Sequence, residues 1–330
     1  MNVITDNFFP KIALICNHIN ISVITIDITC NHLLKVNFGL LYLHLLSACT
    51  IFASIMQYSL FSSERYSFFS LGSGSCGNSY FLGNSRYGIL IDAGIGSRTM
   101  KKRLAELGLD FSFIRAVLVT HDHLDHVKST GYLAEKMHIP IYATHSIHRG
   151  IADNPYVRNC LTGSRKYIEK GISFEIGSLR ITAFDVPHDS EDCVGYYIEF
   201  GGGHSLTLAT DVGHITDELG NYLRRANHVV IESNYDEEML QNGTYPAFLK
   251  QRITSKTGHL SNREIAEFMA NNFESHLQNI WLCHLSGDNN NPETAYKTME
   301  THLAEKGIKV GEDVNLRVLE RNKLSEKIEF

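Results

Sequence analysis

The sequence lacks a C-x-x-C pair, although its 330 residues include seven cysteines. Because these cysteines are scattered, neither a zinc ribbon nor a dense disulfide framework is indicated, and free thiols in a reducing compartment are expected. The sequence also lacks an excess of basic residues, since its formal net charge is -6. A nucleic-acid partner would therefore have to be attracted by a local basic surface.

No proline-rich linker or low-complexity run interrupts the chain after residue 65. Hydrophobic residues make up 43% of the sequence and charged residues 20%, which is ordinary for a folded protein. This composition excludes a disordered chain and a collagen-like repeat. We therefore expect residues 66–330 to form one domain with a sizeable core.

The first 65 residues differ from the rest because they carry few charges and include an apolar run, 38–56, that is long enough to span a bilayer. The long segment before this run lacks the short basic start of a standard signal peptide. Three interpretations are open: a membrane anchor, a poorly ordered or locally packed appendage, or translated sequence upstream of the true start. Met56 lies just before the first expected strand and favours the third. The expected location is the cytoplasm, with anchoring through 38–56 as the alternative.

Hydrophobic periodicity and Gly and Ser turns predict strands and helices from Tyr66 onward. In the first half we expect strands at 66–71, 79–83, 87–94 and 116–120, and a helix at 98–107 that Ser97 is suited to cap. In the second half we expect strands at 172–176, 179–185, 195–200, 204–210, 228–232, 279–283 and 315–319, and helices at 216–226, 246–255, 261–272 and from Pro292. Strands grouped ahead of helices in each half predict an α/β (α+β) protein, a four-layer αββα sandwich.

A cluster of metal-ligand side chains follows the predicted buried strand 116–120: His121-Asp122-His123-Leu124-Asp125-His126. The two-residue spacing in extended chain points His121 and His123 to the same side, so they can share one metal ion. Asp125 and His126 come next and can face an adjacent position as the chain turns into a helix near Val127. Four candidate ligands in six residues therefore predict a site for two metals.

Further candidate ligands lie where other predicted strands end: His188, Asp211 and His284. Two ions about 3.5 to 4 Å apart clamp a bridging hydroxide and make it a nucleophile at neutral pH. Asp211 is suited to bridge the ions because a carboxylate has two oxygens. Imidazole and carboxylate ligands without thiolate suit Zn, Mn or Fe.

Asp92 ends the predicted strand 87–94 and is interpreted either as a residue that orients a ligand histidine or as a turn cap. Eight other histidines show no paired spacing and are expected at the surface or as caps, with His214 the candidate exception because it is close to Asp211. They are His138, His145, His148, His204, His214, His228, His276 and His302.

With these motifs in order, the sequence resembles the metallo-β-lactamase superfamily and, within it, the YycJ/WalJ-like hydrolases, which are similar to bacterial nucleases. The resemblance covers about Tyr66 to the C-terminus. It rests on FFSLGSGSCGNSYF (68–81), THDHLDH (120–126), HDSEDCVGY (188–196), TDVG (210–213), ESNYDEEMLQNGTYP (232–246), LKQRI (249–253), GHLSN (258–262) and LCHLSGDNNNPE (282–293). Cys76 is a departure, because Ser or a similar residue is expected there.

The resemblance implies a role for each matched residue. His121, His123 and His188 would bind one metal, Asp125, His126 and His284 the other, and Asp211 would bridge them. His259 would lie beside the substrate phosphate, with Ser73, Asn78, Ser261 and Asn262 as further phosphate contacts. His259, Asp125 and Asp211 would be the catalytic residues.

The residues around His259 support an anion site independently of the resemblance. Ser261 and Glu264 form a capping box, so His259 precedes a helix N-terminus whose free N–H groups attract anions. Between Lys250 and Arg263 there are four basic residues and no acidic residue, which predicts a local positive patch. A solvated basic helix face is the alternative interpretation.

The predicted function is a dinuclear metal-dependent phosphodiesterase that acts on nucleic acid, as a DNA exonuclease, with the metal-bridging hydroxide as nucleophile. The alternative is a small-molecule hydrolase of thioester, lactone or phosphonate type, because a fold does not determine a substrate. A non-catalytic protein is disfavoured because no candidate ligand is missing.

Overall fold

The computed structural model describes residues 65–157 and 161–330. Within these residues the strands form two seven-stranded sheets. The predictions for residues 1–64, including the apolar run 38–56, lie outside the described residues.

The first sheet is built mainly from the N-terminal half. Its strands are β1 (Ser67–Gly72), β2 (Ser79–Gly83), β3 (Gly88–Ile91), β4 (Ile114–Leu118), β5 (Ile141–Ala143), β6 (Arg165–Tyr167) and the C-terminal β14 (Ile328–Glu329). They lie in the order β14-β1-β2-β3-β4-β5-β6. Strands β1 to β3 are antiparallel, whereas β3 to β6 are parallel.

The second sheet is built from the C-terminal half. Its strands are β7 (Phe174–Ile176), β8 (Leu179–Asp185), β9 (Val194–Phe200), β10 (His204–Ala209), β11 (His228–Glu232), β12 (Asn279–Cys283) and β13 (Asn315–Val318). They lie in chain order, with β10 to β13 parallel and the others antiparallel.

Helices follow the strands in both halves. They are α1 (Ser97–Glu106), α2 (Leu124–Val127), α3 (Thr130–Met137), α4 (His145–Asp153), α5 (Asp217–Arg225), α6 (Glu237–Asn242), α7 (Ala247–Ile253), α8 (Asn262–Asn271) and α9 (Pro292–Glu305). Short 3-10 turns occur at Phe111–Phe113 and Gly201–Gly203.

The main core draws its side chains from both sheets, for example Phe68 and Leu90 from the first and Ile181 and Trp281 from the second. A second core lies between the second sheet and helices α5, α8 and α9. Strands β3, β11 and β12 are buried along their whole length, as expected when both faces of a sheet are covered. The two mixed sheets flanked by helices confirm the predicted αββα sandwich.

The predicted elements of the second half are confirmed to within two residues at each end. In the first half the sequence prediction missed α3, β5, α4 and β6, which are short and in part polar. The short helix α6 and the two-residue strand β14 near the C-terminus were also missed.

Several details of the first half were wrong, and strand β3 is one of them because it ends at Ile91 rather than at residue 94. Ser97 is the first residue of α1 rather than its cap; the N-cap is Gly96, which makes no side-chain cap. Strand β4 ends at Leu118 rather than Thr120. The backbone N–H of Thr120 donates to Asp92 Oδ1 at 2.8 Å, so a side chain replaces a neighbouring strand as its acceptor.

Within residues 65–157 and 161–330, no helix combines the length and the apolar character needed to cross a membrane.

Candidate metal centre

The candidate ligands gather where parallel strands of both sheets end. Asp92 follows β3 and His121 lies three residues after β4, whereas Asp211, Glu232 and His284 lie at or just after the ends of β10, β11 and β12. Because parallel strands share one direction, their carboxyl ends meet at one edge of each sheet. The two sheets thus bring residues that are more than 160 positions apart in sequence into one cluster.

Three of these residues have left-handed backbone conformations: Asp92 (φ 62°), Asp211 (φ 56°) and His284 (φ 53°). Such a conformation is uncommon outside glycine, and Asp and His are among the side chains that adopt it most readily. It is retained only where the surrounding structure enforces it, and such residues concentrate at functional sites. Here each one turns the chain directly after a strand.

His121, His123 and His188 form a first group whose ligand atoms all lie within 4.8 Å of one another. The ring of His121 is 4.6 Å from that of His123 and 5.1 Å from that of His188, between centroids. His121 and His188 are buried. The two-residue spacing of the first pair therefore points both rings to one side, as the sequence predicts.

Asp125, His126 and His284 form a second group within the same limit. An Asp125 carboxylate oxygen lies 3.5 Å from His126 Nε2 and 3.7 Å from His284 Nε2. Helix α2 begins at Leu124, with His123 as its N-cap, and not near Val127 as expected. Asp125 and His126 therefore lie in its first turn, where a carboxylate is favoured by the free N–H groups.

Asp211 lies between the two groups. Its Oδ2 is 3.2 Å from His126 Nε2, and its Oδ1 is 3.5 Å from His284 Nε2 and 3.7 Å from His188 Nε2. Both oxygens of this buried carboxylate thus face ligand atoms. Oδ2 faces the second group, and Oδ1 faces both groups.

Hydrogen bonds orient four of the rings through Nδ1. His126 Nδ1 lies 2.7 Å from Asp92 Oδ2, and His284 Nδ1 lies 2.7 Å from Glu232 Oε1. His188 Nδ1 bonds to the Gly258 carbonyl at 3.2 Å, and His121 Nδ1 to the Thr120 hydroxyl at 3.1 Å. A ring that donates from Nδ1 presents the lone pair of Nε2. The Nε2 atoms of His126, His188 and His284 lie 3.2 to 3.7 Å from the Asp211 carboxylate.

The donor set fits divalent cations. His121 Nε2 and His284 Nε2 are buried without a hydrogen-bond partner in the described part of the chain. An unpaired buried polar atom is costly, so such atoms call for a ligand. A set of imidazole nitrogens and carboxylate oxygens suits Zn, Mn or Fe.

The pKa values show the charge that such cations would balance. Burial alone would raise the pKa of Asp211, but His284 and His126 hold it well below its usual range. Burial would lower the pKa of His284, but Asp211, Asp125 and Glu232 raise it to about 10. The cluster therefore holds ionised carboxylates that need positive partners, and metal binding would replace the ring protons.

Glu232 and His259 extend this cluster. Glu232 Oε1 accepts from His259 Nδ1 at 2.8 Å as well as contacting His284, and Glu232 Oε2 accepts from the backbone N–H groups of Val212 and Leu260. Glu232 is fully buried, and its pKa is lowered to about 2 because the charges of His259 and His284 outweigh burial. No role is predicted for Glu232 from the sequence, although it ends a buried strand much as Asp211 follows one.

The loop residues Ser73 and Asn78 are buried beneath the cluster. Ser73 Oγ accepts from the backbone N–H of His284 at 2.9 Å. Asn78 Nδ2 is 2.9 Å from His126 Nε2, and its Oδ1 accepts from the Gly74 N–H. Both side chains therefore bond within the protein.

Ser261 and Asn262 are also buried. The predicted capping box is confirmed: Ser261 Oγ accepts from the Glu264 N–H, and Glu264 Oε2 accepts from the Ser261 N–H. Asn262 bonds to Ser233 and Asn290. These contacts fix the turn that carries His259.

A sequence model of the β-lactamase superfamily domain matches residues 87–272, which is more than half of the chain. The chain belongs to the metallo-β-lactamase superfamily. Two relatives within the superfamily cover most of the domain. The exodeoxyribonuclease WalJ of Streptococcus pneumoniae is 35% identical over 243 residues, which is 74% of this chain and 90% of that protein. The exodeoxyribonuclease YycJ of Bacillus anthracis is 34% identical over 242 residues, 73% and 90% respectively.

A solved structure shows the same fold. The metallo-β-lactamase fold protein YhfI from Bacillus subtilis superposes with a TM-score of 0.60 at 18% identity, covering 81% of this chain and all of that one. Membership of the superfamily and the YycJ/WalJ resemblance predicted from the motifs are therefore confirmed.

The positive patch predicted beside His259 is weaker than the sequence suggests. Arg252 Nε bonds to Asp189 Oδ2 at 2.6 Å, and Arg263 bonds to Glu237 at 2.9 Å. Both acids lie outside the window 250–263, so the local charge count missed them. Two of the four basic side chains are thus paired.

The expectation that the other histidines lie at the surface was wrong for His148 and His228, which are buried. His148 Nε2 bonds to the Lys166 carbonyl. His228 Nε2 lies 3.0 Å from Nδ1 of His204, which is on the neighbouring strand β10. His214 is exposed and bonds to the Lys256 carbonyl, so it is not part of the cluster.

Proposed function

We propose that this chain is a two-metal phosphodiesterase that degrades DNA as an exonuclease. The observation that carries the proposal is the pair of three-ligand groups joined by Asp211, with the His259–Glu232 pair beside them. The names of the relatives in S. pneumoniae and B. anthracis, at 35% and 34% identity, support the choice of DNA.

Two divalent ions would be held by seven residues of the cluster. His121, His123 and His188 would bind one, Asp125, His126 and His284 the other, and Asp211 would bridge them. When bound, the ions would neutralise the charge that develops on the phosphate and supply a bridging hydroxide as nucleophile.

His259 is proposed to act on the substrate rather than on a metal. Its side chain is 19% exposed, compared with 3% for His284. Because Nδ1 is bonded to Glu232, Nε2 is the ring atom left to hold the phosphate or to donate a proton to the leaving oxygen. Glu232 would keep the ring in the required tautomer and stabilise its protonated form.

Ser73, Asn78, Ser261 and Asn262 are proposed to support the site rather than to contact the phosphate directly. All four are buried, and their polar side-chain atoms bond to protein groups. Their effect would be to place His284, His126 and His259.

A small-molecule hydrolase is the second candidate. The pairing of Arg252 with Asp189 and of Arg263 with Glu237 favours it, because paired arginines attract a polyanion less. A phosphate-free ester or lactone would not need that attraction.

The test is an assay of the full-length protein after chelation and add-back of Zn or Mn. Labelled single- and double-stranded DNA and RNA, a thioester and a lactone would be offered in parallel. Metal-dependent release of nucleotides from a DNA end is expected. Turnover of the thioester or lactone without DNA cleavage would replace the proposal with the second candidate.

A further inference from the structure

Asp189 joins the candidate metal centre to helix α7. Its Oδ1 lies 3.2 Å from His188 Nε2, and its Oδ2 accepts from Arg252 Nε at 2.6 Å. Among the residues that the structure describes, Asp189 is the one acid paired with Arg252. A single carboxylate therefore contacts both a candidate ligand atom and a guanidinium from the last turn of α7.

The backbone of Arg252 is fixed by the turn that carries His259. The Ile253 carbonyl accepts from the N–H of His259 at 2.9 Å, and the Gly258 carbonyl bonds to His188 Nδ1. A Cβ atom added at Gly258 would lie 2.1 Å from the Ile253 carbonyl oxygen, so the turn closes too tightly for a larger residue. Arg252 and His259 are thus held at the two ends of one tight turn, to which His188 is also bonded.

The guanidinium of Arg252 keeps donors for a further partner. Its Nε bonds to Asp189, whereas neither Nη group has a hydrogen-bond partner within residues 65–157 and 161–330. The Arg252 side chain is 57% exposed, compared with 19% for His259 and 3% for His284. Arg252 therefore lies at the rim of the site, outside His259, with both Nη groups able to donate.

The pair with Asp189 lowers the long-range attraction of Arg252 for a polyanion, but it leaves the short-range donors in place. A guanidinium carries five N–H donors in a planar fork, so a bond through Nε leaves the Nη donors free to bind two oxygens of one anion. The bond also fixes the orientation of a long side chain, which reduces the entropy lost when a ligand binds. Because Asp189 also contacts His188, a cation bound there would balance part of its charge.

We propose that Arg252 binds the backbone phosphate next to the cleaved one, and that Asp189 is the positioning residue that orients its guanidinium. This inference rests on the proposed function and adds a second phosphate site for the same substrate. The metal-ligand cluster and His259 lie deeper and would hold the cleaved phosphate, so the more exposed guanidinium meets the next phosphate along the strand. Single- and double-stranded DNA both carry this phosphate, and the contact reads no base.

Steady-state kinetics on DNA test the contact, with the metal-loaded full chain as wild type, Arg252→Gln and Asp189→Asn. Arg252→Gln should raise KM roughly 10-fold or more, because a charge-assisted hydrogen bond to phosphate is lost, and should leave kcat nearly unchanged. The slope of log(kcat/KM) against log[salt] should become less steep by about one. Asp189→Asn should also raise KM, although it removes a negative charge. A lower KM in Asp189→Asn would show that Asp189 only neutralises Arg252.

Neutral linkages in the substrate locate the phosphate that Arg252 binds. A methylphosphonate, which replaces a charged phosphate oxygen with a methyl group, is placed at one linkage at a time, starting beside the cleaved bond. One such linkage should raise the wild-type KM about as much as Arg252→Gln does. The same linkage should have no further effect in Arg252→Gln, because both changes remove one contact. Additive effects at every linkage would overturn the inference.

Arg180→Gln is the matched control, because Arg180 is similarly exposed and is also paired with an acid, Glu199. It lies near the start of β8, at the strand end away from His188. This variant removes the same charge and should keep the wild-type KM and salt dependence. Elemental analysis should give equal metal contents in the wild type and both arginine variants. A low metal content in Arg252→Gln, with KM restored by excess metal, would assign Arg252 to the metal site and overturn the phosphate contact.

Bis(p-nitrophenyl) phosphate separates this inference from the proposed function, because it has one phosphate and no neighbouring one. Arg252→Gln should hydrolyse it at the wild-type rate. An equal loss on DNA and on this model diester would place Arg252 at the cleaved phosphate and overturn its assignment to the neighbouring one. A wild-type KM for DNA in Arg252→Gln would reject the contact alone, whereas a wild type inactive on both DNA and the model diester would reject the nuclease.

Discussion

The ring orientations in the cluster depend on individual hydrogen bonds to Nδ1. Asp92 is the best case, because among the residues that the structure describes His126 is the one candidate ligand to which its carboxylate hydrogen-bonds, and it also accepts from Thr120. The sequence allowed Asp92 to be either a turn cap or a residue that orients a ligand histidine. The structure supports the second interpretation, because the Asp92 carboxylate contacts the His126 ring. The same bond leaves His126 Nε2 facing Asp125 and Asp211.

Asp92→Asn should weaken metal binding by roughly 10- to 100-fold, because an amide cannot accept all the hydrogen bonds of the carboxylate and the ring loses its fixed tautomer. Competition titration with a metal-binding dye measures the effect. Asp110→Asn, at an exposed site, serves as the control and should bind metal normally. Unchanged affinity in Asp92→Asn would show that His126 is oriented by other contacts.

His259→Ala should retain both ions, because the seven proposed ligands remain, yet slow phosphodiester cleavage by roughly 100-fold. Asp211→Ala should lose metal and activity together. Elemental analysis and the nuclease rate are measured on the same preparations, with His214→Ala as an exposed histidine control. A fully active His259→Ala enzyme with normal metal content would show that His259 neither holds the phosphate nor donates the proton.

At the scale of elements, the cluster depends on close contact between the turn after β3 and helix α2. A Cβ atom added at Gly94 would lie 1.5 Å from the carbonyl oxygen of Asp125, whereas one added at Gly96 would meet nothing within 4 Å. Only glycine therefore allows the turn to pass over the helix that carries Asp125 and His126.

Gly94→Ala should destabilise the fold by at least roughly 1–3 kcal/mol, because the backbone must shift to accept the methyl group. It should also lower metal content, since the shift moves α2. Thermal unfolding and elemental analysis check both effects, with Gly96→Ala as the matched control. Similar melting temperatures and metal contents in the two variants would contradict the close contact.

At the scale of the whole molecule, the buried His228 and its half-buried neighbour His204 link stability to pH. They begin β11 and β10, at the strand ends opposite the cluster. Burial and, to a smaller extent, the neighbouring His204 together lower the pKa of His228 to about 3. Asn279 Nδ2 donates to His228 Nδ1 at 2.9 Å, so the neutral ring is the form that fits.

The folded-state pKa is below the unfolded value of about 6.5, so the unfolded chain binds this proton more readily. The contribution is fully present above pH 6.5 and is lost progressively as pH falls toward 3, by about 2 kcal/mol at pH 5. Urea unfolding of metal-free wild type and His228→Gln at pH 5 and 7.5 measures it. The wild type should lose more stability than the variant over this interval, and parallel losses would exclude His228 as the source.

Local sequence determined those features that depend on neighbours in the chain. The run His121–His126 places four candidate ligands between the end of β4 and the first turn of α2, so spacing alone could indicate a metal site. The capping box at Ser261 and Glu264 is equally local, and the apolar runs of β11 and β12 predicted strands. In each case the interacting atoms lie within a few residues, where backbone geometry leaves few alternatives.

The tertiary structure alone decided which distant residues meet. Glu232 contacts His284 because β11 and β12 pair in one register. It contacts His259 because the turn before α8 lies against the end of β11, where the Leu260 N–H also donates to Glu232. Neither contact has a local signal in the sequence. The acids that neutralise Arg252 and Arg263 come from other segments, so a window of sequence could not include them. Partners brought together by strand register and by packing of the two sheets depend on the whole fold, and local periodicity does not specify them.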